Sequence, residues 1–185
     1  AALGTDGRQA VGGISMAASA VLMLAANAPG FYSSVTSFSG CANTSDDLGA
    51  AFVKLVVEAR GGGDTENMWG PTGGPGWIAN DALLNADKLR GTPLYLSTGS
   101  GLPGFDDTLT SARIGGDVAA LVNRVIVGGG IESITDHCTR VFAGRLAELG
   151  IPATVDFRGP ATHSWAYWQE DLHKSWPFTA ASLGL

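Results

Sequence analysis

A serine on a tight turn, a histidine far downstream and a carboxylate between them are the parts of a nucleophilic acyl-transfer centre. In this chain of 185 residues the serine is Ser15, within Gly12-Gly13-Ile14-Ser15-Met16-Ala17. The stretch reads as a strand, a sharp turn and a buried helix with Ser15 at the apex, the layout of a nucleophile elbow. Gly13 is the small residue two before the serine. Ala17 stands two after it, where the common pattern has a second glycine.

Three histidines compete for the role of base. His137 falls in the middle of an expected helix and His173 in the terminal helix, whereas His163 lies in the loop after the last expected strand. Active sites of open α/β sheets gather at the carboxyl ends of strands, which favours His163. The chain order serine, acid, histidine leaves three acids open, Asp106, Asp107 and Glu132. Placement soon after the preceding strand favours Asp106 or Asp107. In such a centre His163 removes the Ser15 proton, the acid orients the imidazole and stabilises its cation, and the Met16 backbone N–H donates to the oxyanion.

Elements that could position these groups follow from local pattern. Met16 to Asn27 has the Ala/Leu/Met content of a buried helix, ended by Pro29-Gly30, and residues 31–38 read as a buried strand. Strand, helix, strand implies a parallel sheet. From Asp46 to Ala59 the apolar residues follow helical spacing, and Gly61-Gly62-Gly63 ends them. A loop is expected over 64–78, then a short helix over 81–89 capped by Asn80. Pro93 to Ser97 reads as a strand, and a helix around 117–126 is expected to break at Gly128-Gly129-Gly130. Glu132 then enters a helix running to Gly150, Ala153 to Phe157 is the last strand, and Trp165, Trp168, Leu172 and Trp176 form one stripe of a terminal helix. The expectation is a single α/β domain over residues 1–185, with four parallel strands.

Composition narrows the classes. Charged residues make up 15% of the chain and apolar ones 45%, which favours a folded core over disorder. A net charge of -6 and the absence of any Lys/Arg-rich run give no electrostatic reason to bind nucleic acid. The uncharged run between Arg8 and Asp46 is broken by Gly12-Gly13, Asn27 and Pro29-Gly30, so it does not read as a membrane span. Cys41 and Cys138 have no metal-ligand spacing, and no cofactor or metal is called for. Spacing alone leaves them as a disulfide or as two buried thiols.

Gly13-Ile14-Ser15-Met16-Ala17, Met68-Trp69-Gly70-Pro71, Trp77 with Asn80-Asp81, and Thr162-His163-Ser164-Trp165-Ala166-Tyr167-Trp168 resemble segments of the antigen 85 type mycolyltransferases, in that family's order. The resemblance implies an α/β-hydrolase fold and a Ser15, Glu132, His163 triad, because the family's acid is a Glu at the start of the helix before the last strand. It implies transfer of a mycoloyl chain from trehalose monomycolate to a sugar hydroxyl, on a second trehalose monomycolate or on arabinogalactan. Trp165 and Trp69 are then expected at the sugar or acyl site, export to the cell envelope is implied, and a Cys41–Cys138 disulfide goes with it. Only 14 residues precede Ser15, whereas the family has a substantial N-terminal half before its serine. The expectation is therefore the C-terminal part of a larger hydrolase domain, with N-terminal strands missing. The elbow strand would be left as an open edge for the missing half or a second chain to cover.

Overall fold

A computed structural model describes residues 4–185. In chain order the elements are β1 (Ala10–Ile14), α1 (Met16–Asn27), β2 (Ser34–Phe38), α2 (Asp47–Lys54), α3 (Thr65–Trp69), α4 (Pro75–Ala79), β3 (Leu94–Thr98), α5 (Val118–Asn123), α6 (Gly129–Glu148), β4 (Thr154–Phe157) and α7 (Trp165–Leu183). Among the described residues the strands form one parallel sheet in the order β1-β2-β3-β4, with β1 at an edge.

Alternation along the strands sorts the helices. Val35, Leu94 and Leu96 enter a core with Val21 and Leu22 of α1 and Phe142 and Leu146 of α6. Phe38 and Tyr95 pack on the other face against Trp168 of α7. The β2 residues are all buried, as expected of a strand between two parallel neighbours with helices on both faces. The register pairs Ile14 with Phe38, Phe38 with Ser97, and Thr98 with Phe157. All four strands therefore end at about the same level. The first residues past them, Ser15, Ser39, Gly99 and Arg158, form a row along the carboxyl rim.

Several local expectations are corrected. The segment 64–78 holds two short helices: Asp64 caps α3 by accepting from the Glu66 and Asn67 N–H groups, and Pro75 opens α4. Five-residue helices are too short to show a period. Asn80 follows α4 rather than capping a helix over 81–89, and only Ala86–Leu89 there is helical, as a 3-10 turn. The Asp81 carboxylate is committed to Ser45 and to the Leu84 N–H, which holds the chain in turns.

The three glycines at 128–130 do not break a helix. A π-helical segment, Arg124–Gly128, joins α5 to α6 in one helical run, so Glu132 lies inside that run. Close approach is what these positions require: a Cβ on Gly129 would sit 2.5 Å from the Gly101 carbonyl oxygen, and the Gly128 carbonyl accepts the His163 N–H at 3.2 Å. On α7 the inward face is Tyr167, Trp168, Asp171 and Ser175, while Trp165, Leu172 and Trp176 face outward. The aromatic stripe read from the sequence is thus split, and a polar pair takes its inner places.

Candidate active site

Ser15 stands between β1 and α1 with φ 57°, one of two non-glycine residues at positive φ among those described. Its N–H donates to the Phe38 carbonyl at 2.9 Å, tying the turn to the end of β2. The turn needs glycine at position 13, because a Cβ there would fall 2.3 Å from the Ala17 oxygen. Ala17 serves where a second glycine is common. On the far side a Cβ on Gly40 would meet the Ala18 methyl at 2.7 Å, so small residues flank the turn both ways.

The imidazole of His163 bridges two groups. Its Nε2 is 2.8 Å from Ser15 Oγ, and its Nδ1 is 2.7 Å from Glu132 Oε2. With the proton on Nδ1 the ring donates to the carboxylate and accepts the serine O–H. Trp168 packs edge-on against the ring at 4.8 Å, fixing its plane. The structure thus brings Ser15, Glu132 and His163 together.

Asp106 and Asp107 lie elsewhere. Asp106 accepts from Arg124 at 2.8 Å and from Ser111 at 2.9 Å. Asp107 accepts from Thr162 Oγ1 at 2.8 Å, from Tyr167 O–H at 2.7 Å and from the Gly104 N–H at 2.8 Å. Asp107 reaches the histidine only indirectly, through the neighbouring Thr162. Burial and the Asp107 carboxylate push the Tyr167 hydroxyl well above its ordinary pKa.

Glu132 is fully buried. Its Oε1 accepts three short hydrogen bonds: from the Gly99 N–H at 2.6 Å, Ser39 Oγ at 2.7 Å and Arg158 Nη2 at 2.7 Å. Burial pushes its pKa up, but the hydrogen bond from His163 and the cationic charge of His163 and Arg158 outweigh that, and it ends below the ordinary value. Ser39 also accepts from Trp168 Nε1 at 3.0 Å. Behind it the other arm of Arg158, Nη1, pairs with Asp171, which also accepts from Ser97 at 2.8 Å. Ser39, Gly99, Arg158 and Asp171 are the residues that motif reasoning misses. The signal for the first three is their place one residue past each remaining strand, where the rule for open sheets puts ligands and catalytic groups.

Cys41, three residues past β2, and Cys138 of α6 are joined by a disulfide with Cα atoms 4.9 Å apart. It ties the helix carrying Glu132 to the rim loop whose Cys41 N–H also donates to Ser19 of α1. Closing so long a loop is worth roughly 4 to 5 kcal/mol in the chain-entropy model. Among the described residues no cluster of three or more His, Cys, Asp or Glu side chains could hold a metal ion.

Hollows surround the serine. An almost wholly apolar groove of about 320 Å3 starts at Met16, the residue after Ser15, and runs past Ala20, Met23, Phe52, Val56 and Trp69. Trp69 packs edge-on against the buried Trp77 at 5.2 Å. The exposed Trp165 borders two further clefts, one reaching His163 and lined by Arg113 and Arg124, the other along the open edge of β1.

A parallel sheet flanked by helices, with a serine on a strained strand-to-helix turn and an imidazole between it and a carboxylate, is the architecture of an α/β-hydrolase. More narrowly, the chain belongs to the putative esterase family, whose model matches residues 1–179. It is 32% identical over 177 residues to the diacylglycerol acyltransferase/mycolyltransferase Ag85A of Mycobacterium tuberculosis, covering 95% of this chain and 48% of that protein. It is 30% identical over 163 residues to the diacylglycerol acyltransferase/mycolyltransferase Ag85C of Mycobacterium leprae, covering 86% and 44%. The chain spans about half the length of the curated relatives it matches. Among solved structures, Mycobacterium tuberculosis MPT51 (FbpC1) superposes with a TM-score of 0.71 at 21% identity, over 96% of this chain and 60% of that one. An S-formylglutathione hydrolase from Agrobacterium tumefaciens gives 0.58 at 15% identity, over 96% and 50%. At these identities the two structures speak to the fold alone.

Proposed function

We propose that the chain carries the acyl-transfer centre of a serine acyltransferase acting on a glycolipid ester. The observation that carries the reading is the His163 ring, 2.8 Å from Ser15 Oγ at one nitrogen and 2.7 Å from Glu132 at the other. Ser15 Oγ attacks the ester carbonyl while its proton passes to His163 Nε2. The Met16 N–H, one of the unpaired donors that open α1, receives the oxyanion. His163 then gives the proton to the departing sugar oxygen, leaving an acyl-Ser15. An acceptor hydroxyl attacks that ester, returns a proton through His163 and frees Ser15. Glu132 holds the ring and stabilises its cation without itself taking the proton.

In this reading the acyl chain is a mycoloyl group, and the groove from Met16 to Trp69 takes its hydrocarbon. The donor is trehalose monomycolate and the acceptor a sugar hydroxyl of a second trehalose monomycolate or of arabinogalactan, bordered by Trp165. The relatives named as mycolyltransferases and the groove next to the serine support this choice. Residues 1–185 act as the C-terminal part of a larger hydrolase domain, whose remaining part pairs with the open edge of β1 and supplies the second oxyanion donor. The disulfide fits an exported, envelope-facing protein.

Two measurements test the reading. A serine-directed phosphonate is expected to label Ser15, with the adduct located by mass spectrometry; no adduct, in the chain alone or together with the rest of its domain, rejects an acyl-enzyme. With an acyl donor, trehalose and water as competing acceptors, the expected product is the acylated sugar. Free acid alone would make the protein a carboxylesterase of the same fold, the second reading its family supports.

A further inference from the structure

We infer that Arg158 and Asp171 are positioning residues for the His163 base, Arg158 by turning Glu132 Oε2 towards the ring and Asp171 by offsetting the Arg158 charge; this rests on the acyl-transfer reading above. The carboxylate of Glu132 is used unequally. Oε1 takes the Gly99 N–H, the Ser39 hydroxyl and Arg158 Nη2, and Oε2 is left with His163 Nδ1 alone. A carboxylate saturated on one oxygen cannot rotate without breaking three bonds, so the other oxygen stays aimed at the ring.

The charges are as informative as the bonds. Glu132 and Asp171 are fully buried and the Arg158 side chain is 5% exposed, so their charges are poorly screened. With a neutral ring, two carboxylates and one guanidinium leave this pocket with one net negative charge. Imidazolium formation brings it to neutrality. Without Asp171 the Glu132–Arg158 pair would already be neutral, and the imidazolium would add a lone positive charge to a dry site.

The other ionisable groups facing Asp171 are Asp156 of β4, itself paired with Lys174 of α7 at 3.1 Å, and Tyr95 of β3. None of them touches Glu132 or His163. Burial raises the pKa of Asp171 to about 6, so it is ionised at pH 8 and able to offset Arg158 there.

The test compares the parent chain, Asp171→Asn and Arg158→Lys at three readouts: phosphonate labelling of Ser15, kcat and KM on an activated acyl ester, and an NMR titration of the His163 ring. In Asp171→Asn the His163 pKa is expected to fall by about half a unit or more, because Arg158 is no longer offset. Its kcat is expected to fall about tenfold with KM within about twofold, the pattern of a loss felt in the transition state. Arg158→Lys keeps the charge and loses the fork, so kcat should fall about threefold while the His163 pKa barely moves. An unchanged His163 pKa in folded Asp171→Asn overturns the inference. If that variant does not fold, Arg158→Lys decides: full kcat overturns the inference, and reduced kcat with parental KM supports it. A parent that neither labels nor turns over, alone or together with the rest of its domain, rejects the acyl-transfer reading, and the NMR arm still judges the charge arrangement by itself.

Discussion

Glu132, Arg158 and Asp171 form a buried pair of carboxylates bridged by a guanidinium, and Asp106, Asp107 and Arg124 form a second, partly exposed one. The first meets the ring of His163, and the second meets its neighbour Thr162. Composition does not distinguish the two. Anchorage does: Glu132 is held by Ser39, Gly99 and Arg158, which follow three strands of the sheet. The second is held by loop groups and helix ends, among them Gly104, Ser111 and Tyr167. A catalytic acid must keep its oxygen in place to a fraction of an ångström, and the rim of a parallel sheet is the stiffer mount. The second set suits a different task, fastening the loop that delivers His163.

The contrast is broken most directly by removing one acid from each set. Ser15→Ala sets the floor, with activity on an activated ester and phosphonate labelling both lost. Glu132→Gln is expected to lower kcat by about 10³ to 10⁴, since the amide favours the wrong tautomer of the ring. Asp107→Asn is expected to cost no more than about tenfold. Equal losses in the two variants would mean that both sets act on the imidazole.

The same pair sharpens the contrast on stability. Asp107→Asn leaves Thr162, Tyr167 and the Gly104 N–H with a weaker or mismatched acceptor, for about 1 to 3 kcal/mol, readable as a lowered urea midpoint. A variant that loses activity while keeping the parental midpoint would show that Asp107 is more than a fastening.

How much of this is legible in the sequence differs between the two sets. The Gly13-x-Ser15 spacing and the place of His163 after the last strand single out two side chains that the fold brings to 2.8 Å. The choice among Glu132, Asp106 and Asp107 is not local. It depends on α6 lying over the rim, and only the resemblance of the Thr162 to Trp168 stretch and its companions orders the three. Ser39, Gly99 and Arg158 carry no motif, because a serine, a glycine and an arginine after strands are common. They gain meaning only once the register sets the strand ends level. The strands and α1 follow from composition and period. The glycines at 128–130 mislead because a glycine that ends a helix and one that admits a neighbouring backbone look alike in one sequence.

The pH dependence of stability separates the members of the first set. Glu132 is held below its ordinary value, so the folded chain releases that proton more readily than the unfolded one. Its contribution is present above about pH 4.5 and is lost as pH falls through its folded value. Asp171 runs the other way. With its pKa raised from 3.8 to about 6, the folded chain binds that proton more tightly, and stability falls as pH rises between those values. The fall is roughly 2 to 3 kcal/mol at full effect. Urea midpoints from pH 3 to 8 should therefore lose their decline between about 4 and 6 in Asp171→Asn. They should lose part of their acid-side rise in Glu132→Gln. A parental profile in Asp171→Asn would mean that Asp171 binds its proton equally tightly in the folded and the unfolded chain.

The smallest expected effect comes from outside both sets, in the apolar groove that begins at Met16. The acid clusters fix where charge sits, while this groove offers only area, so its contribution should grow with the length of the acyl chain. Trp69→Ala removes one wall where it rests on Trp77. For short activated esters kcat/KM should stay within about twofold of the parent. For long-chain esters it should fall about five- to tenfold, the loss of roughly 1 kcal/mol of buried apolar contact. Because Ser15, His163 and Glu132 are untouched, the phosphonate labelling rate should not change. A loss independent of chain length would instead place Trp69 among the groups that hold the elbow, and would move the hydrocarbon to the cleft beside Trp165.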